Sequence, residues 1–116
     1  MEIKPEMITE LFEEQQKMMD TLYELQELYA SVKHKIYVKE CDLILNTNFK
    51  GHGLTNKDQR DAYVKSKLLD DLTDKESLEK DIHYTKSMIN HIENKILFFK
   101  EFCEWLKIGK KILMIS

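Results

Sequence analysis

Four histidines and two cysteines are the side chains in this 116-residue sequence best suited to hold a metal or move a proton. Their spacing argues against both roles. His83 and His91 stand just over two helical turns apart, and Asp81 or Asn94 could share their face. No His-x3-His pair occurs, however, and no cysteine lies close, whereas a structural zinc needs a tighter set of ligands. His34 and these two therefore read as surface or boundary histidines. Cys41 and Cys103 fit no metal spacing and fall on helical faces, so packed, reduced thiols are expected. His52, between Gly51 and Gly53, is the most exposed histidine, but no Ser, Cys or acid stands at a spacing that suggests a relay. Nor is Gly-His-Gly a phosphate loop: it follows a helix instead of a strand and lacks the Gly-Lys-Ser/Thr ending. A helical hairpin also offers no obvious concave pocket. The residue types predict no catalytic site, no metal and no cofactor.

What positions these residues is helix. Apolar residues make up 42% of the chain and charged residues 34%, with 3 Gly and 1 Pro. So few breakers favour long helices over a β-sandwich or barrel. From Ile8, alternating steps of three and four pass through Leu11, Gln15, Met18, Leu22, Leu25, Tyr29, Val32, Ile36, Lys39 and Leu43. Only Gln15 and Lys39 interrupt this seam, which marks a helix laid along a partner helix. Phe12, Met19 and Leu28 widen the stripe, as though it met more than one neighbour. A second seam runs through Val64 and Leu68, crosses a polar gap at Asp71 and Lys75, and resumes at Leu78, Ile82, Thr85, Ile89, Ile92, Ile96, Phe99, Cys103 and Leu106.

These patterns predict one all-α domain, a long antiparallel helical hairpin of coiled-coil type. Helix 1 covers about 5–45, a loop 46–55, helix 2 about 56–108 and a tail 109–116. Thr55 to Asp58 resembles a capping box that starts helix 2, and Gly109 is placed to cap its end. Helix 2 is expected to be continuous; a second capping pattern inside it, Leu72-Thr73-Asp74-Lys75-Glu76, makes a kink or break near 72–75 the alternative. Loop length sets Ile36 opposite Leu68, Leu22 opposite Ile82 and Gln15 opposite Ile89, with Lys33 and Lys35 near Asp70 and Asp71. That register leaves residues beyond about 99 without a partner on helix 1. The end is rich in aromatics: Phe98, Phe99, Phe102 and Trp105, followed by Leu106. An exposed patch of this kind marks an association site, so the hairpin is expected to assemble into an oligomeric bundle through it. The other reading is that the tail folds back and covers the aromatics within one chain.

Charge is unevenly distributed. Residues 1–30 carry eight acids and two bases, whereas residues 31–67 carry eight bases and four acids. The loop end is thus basic, with Phe49 and Tyr63 available to stack on bases. Seven of its eight bases are lysines, though, and nucleic-acid surfaces are usually more strongly basic and richer in arginine. The starting segment is too acidic and polar for a signal peptide, and no apolar run approaches the ~20 residues that cross a bilayer. The loop itself, Leu45 to Val64, reads as a turn first: Asn46, Asn48, Gly51 and Gly53 tolerate the backbone a reversal needs. Its exposed residues Phe49, Lys50, His52, Lys57, Arg60 and Tyr63 form the candidate partner-binding tip.

Thr47, Asn48, Phe49, Lys50, Gly53, Leu54, Thr55, Asn56, Arg60, Ala62 and Tyr63 follow a pattern, T-D/N-F/W-K…G-L-T-N-x-x-x-R-x-A-Y. In it the chain resembles small helical proteins encoded by bacteriophages. The resemblance implies the cytoplasm of an infected bacterium and a non-enzymatic protein that binds another protein. The target would be host defence machinery such as a CRISPR nuclease, or the phage's recombination or replication proteins. A nucleic-acid-binding accessory using the basic tip is the alternative expectation.

Overall fold

A computed structural model describes residues 4–115, with side chains as far as Gly109. The described residues form three helices and no strand: α1 (Pro5–Asn46), α2 (Lys57–Lys67) and α3 (Leu69–Ile115). The architecture is an all-α antiparallel helical hairpin, as the two seams require. Pro5 opens α1, where its missing N–H has no partner to lose, and Glu6 complements the dipole in the first turn.

The second arm departs from the expected single helix, and its break falls at Leu68 instead of 72–75. Thr73 shows why. Its hydroxyl donates to the Leu69 carbonyl at 2.9 Å, so the side chain that would cap a new helix is spent inside an existing one. At Leu68 the amide is shared between the Val64 and Lys65 carbonyls, both at 3.2 Å, which tightens the turn and ends α2. No glycine or proline marks the place. Asp70 and Asp71 then occupy the first turn of α3, where the dipole favours acids.

The far end also departs from expectation. Residues 109–115 continue α3 in place of a capped tail. A glycine C-cap needs positive φ, and among the described residues only Gly53 has it, at +73°. Gly109 therefore sits within the helix, at a cost of about 1 kcal/mol relative to alanine. A tail folding back over the aromatics is overturned for these residues; their side chains beyond Gly109 lie outside the described set.

The chain divides into two compact units, one of Met1–Tyr23 with His83–Ser116 and one of Glu24–Ile82. In the first unit the core is Ile92, Ile96 and Phe99 with Thr85, all on the α3 seam, and Ile92 is 1% exposed. Ile8, Leu11, Gln15, Met18 and Leu22 of α1 are half-buried along the matching seam. The Lys100 ammonium lies 6.0 Å from the centre of the Phe12 ring, so α1 reaches α3 about as far as the expected register allows, and residues 104–109 beyond it are exposed. In the second unit Ile36, Val64 and Leu68 form a buried cluster, packed by Val32, Leu43, Phe49 and Leu72. That agrees with the expected pairing of Ile36 with Leu68. Further along, Tyr29 donates to Glu79 at 2.8 Å, one turn past Lys75, which the register of Ile36 with Leu68 would set against it.

One polar interruption of each seam meets the other. Lys39 donates to Asp71 at 2.7 Å, and Lys35 lies 3.2 Å from the other carboxylate oxygen. Asp71 is 7% exposed, while both lysine heads remain largely in solvent. Lys33, expected beside them, instead places its ammonium 4.9 Å over the Tyr29 ring. The Lys39 hydrogen bond, aided by Lys35 and opposed by burial, holds the Asp71 carboxyl below its ordinary range. A lowered carboxylate pKa contributes stability that is complete above the ordinary value and is lost as pH falls through the lowered one. Thermal unfolding of the wild type and Asp71→Asn should therefore differ clearly at neutral pH and converge in acid; a gap that is constant with pH would disprove the assignment.

Candidate partner-binding tip

The tip is built by a loop that satisfies itself. The Asn48 side-chain oxygen accepts from the Gly51 amide at 3.1 Å, and the Phe49 carbonyl accepts from Leu54 at 2.9 Å and His52 at 3.2 Å. Gly53 supplies the left-handed residue that turns the chain towards α2. The cap of α2 is Asn56, not Thr55: its side chain accepts from the Gln59 amide at 2.8 Å, while the Gln59 side chain accepts from the Thr55 amide at 3.0 Å. Asparagine is the better cap, worth about 1 kcal/mol over alanine, and the return bond from Gln59 closes on Thr55, the residue before the cap. Arg60 reaches back within this turn, its Nε donating to the Asn56 carbonyl at 3.3 Å.

The six residues proposed from sequence fall on two sides of α2. On the loop side His52 stacks on Tyr63, with ring centres 5.5 Å apart and planes at 30°. Phe49 meets the Tyr63 ring edge-on at 6.2 Å, and the Lys67 ammonium lies 5.5 Å from its centre. Lys50 is exposed nearby in the loop. Lys57 and Arg60 face the other way, onto an open groove of about 700 Å³ between α1 and α2. Phe49 serves both sides. The groove floor is apolar (Ile36, Ile44, Phe49, Val64, Leu68 and Leu72), and its rim carries Glu40, Lys57, Arg60, Asp61 and Lys65.

A concavity of this size was not expected of a hairpin. It is lined by α1, the loop residue Phe49 and α2, and reaches past the break to Leu72 of α3. Sequence reading counted Lys65 and Lys67 in the basic loop end but not among the tip residues, and missed Ile44 and Leu72. The alternation of apolar and basic positions in α2, from Lys57 through Arg60, Val64 and Lys65 to Leu68, was the available signal.

The proposed self-association residues also divide. Phe99 is covered within the chain at 9% exposure, whereas Phe98, Trp105 and Leu106 are 53%, 78% and 49% exposed. Phe102 is half-buried, stacked on Phe98 at 6.3 Å, and Phe98 meets Phe99 edge-on at 5.8 Å. Cys41 and Cys103 are half-buried free thiols. Among the described residues no group of three or more His, Cys, Asp or Glu is placed to hold a metal ion, and no helix is long and apolar enough to cross a membrane. The chain matches no family model, no curated protein and no solved structure.

Proposed function

We propose that this is a non-enzymatic protein-interaction module of bacteriophage type. It binds and modulates a protein of nucleic-acid machinery in the infected bacterial cytoplasm, either host defence such as a CRISPR nuclease or phage recombination and replication proteins. The observation that carries the reading is the loop-side face of the tip, where the Tyr63 ring of α2 is stacked by His52, met edge-on by Phe49 and faced by the Lys67 ammonium, beside a self-bonded loop. Aromatic side chains held rigid beside a cation are the usual anchors of protein interfaces. The exposed Phe98, Trp105 and Leu106, with Phe102, give a second surface through which the module self-associates.

The same stacked pair beside lysines supports one competing reading, a nucleic-acid accessory, since aromatic platforms also bind single strands. Capture from infected cells by the wild type and by His52→Ala/Tyr63→Ala, read by mass spectrometry, tests the first. A specific protein lost in the variant, with helicity unchanged, is the expected result. Oligonucleotide binding that weakens steeply with salt and is lost in the same variant would overturn it in favour of the second. For self-association, Phe102→Ala/Trp105→Ala should lower the sedimenting mass of the wild type; an unchanged mass would remove this surface.

A further inference from the structure

The groove and the acidic end of α1 are complementary in chemistry. In the first unit, Phe12 and Met19 are 46% and 39% exposed although both are large and apolar. Seven residues apart, they lie on one line of α1, and Glu13 and Asp20 form a parallel line one position round the helix. Gln16 donates to Asp20 at 3.0 Å, which holds that carboxylate along the helix. This is an apolar strip with an acidic edge. In the second unit the groove has an apolar floor and, along its α2 side, three bases (Lys57, Arg60, Lys65) against the single acid Asp61. Ile36 and Ile44 present two apolar positions on its α1 side at nearly the spacing of Phe12 and Met19.

Residues Pro5–Asn46 are one uninterrupted helix, and the same helix forms one wall of the groove. We propose that the groove receives the N-terminal part of α1 from a second copy of this chain. Phe12 and Met19 enter the apolar floor, and Glu13 and Asp20 face Lys57, Arg60 and Lys65. This is recognition of a helix in a groove, with the uneven charge of the two segments setting which surfaces meet. Each copy carries one strip and one groove, so the contact either closes as a pair or runs on from copy to copy.

The contact is tested on a Phe102→Ala/Trp105→Ala background, so that the aromatic end cannot contribute, and it does not involve His52 or Tyr63. Sedimentation should show association that weakens as salt rises. Lys57→Glu/Arg60→Glu/Lys65→Glu should weaken it about tenfold or more, and Glu13→Lys/Asp20→Lys likewise, each with wild-type helicity by circular dichroism. Mixing the two charge-reversed proteins should restore a mixed species, since each then complements the other. A background protein that stays monomeric at all concentrations would overturn the proposal. So would charge-reversed variants that associate as before, or a mixture of well-folded variants that fails to combine.

Discussion

Ile92→Ala should cost the fold about 2–5 kcal/mol, at the upper part of that range, because the site has little freedom to collapse. At 1% exposure Ile92 is the most deeply covered apolar side chain among the described residues, and Ile96 and Phe99 continue its row on α3. Removing the methyl and ethyl groups leaves a void between elements whose backbones are held by long, regular hydrogen-bonded ladders. Such ladders cannot sag locally to fill it. Chemical denaturation of the variant should show an earlier midpoint with an unchanged slope, since the surface exposed on unfolding is nearly the same. A loss below about 1 kcal/mol would mean that the site is not packed as described.

Leu68→Ala should produce a loss in the same range of about 2–5 kcal/mol, while Leu69→Ala next to it should stay within about 0.5 kcal/mol. The two leucines are neighbours in sequence but 4% and 61% exposed. Leu68 packs with Ile36 and Val64 and also ends α2, its amide shared by two carbonyls. Leu69 begins α3 and faces solvent. Equal effects at the two positions would contradict the break, because a register shifted by one residue would exchange their roles. Thermal unfolding of the pair reads the difference directly.

The helices themselves were legible in the sequence because their seams depend on period alone. The seam positions named from Ile8 to Leu43 are covered except Lys39, and Lys39 is the residue that reaches Asp71. Periodicity showed polar interruptions in both seams; it could not show that Lys39 of one and Asp71 of the other were partners, since that depends on register. The loop was legible as a turn through Asn48, Gly51 and Gly53, but the cap moved from Thr55 to Asn56, a choice between adjacent residues that both suit the role. The break at Leu68 left no local signature, being made by a shared hydrogen bond and by packing. The groove, which depends on how α2 packs on α1, was equally hidden. At the far end Gly109 suggested a stop that its backbone does not take.

Being interrupted at Leu68 leaves α2 only eleven residues long, with a loop on one side and the break on the other. Helices that short do not persist alone in water. Its order is borrowed from Val64 and Leu68, the two side chains that anchor it to α1. The aromatic face on one side of α2 and the basic rim on the other thus share a single pair of moorings, and amide exchange in this segment should be the quickest reporter of anything that loosens or tightens either.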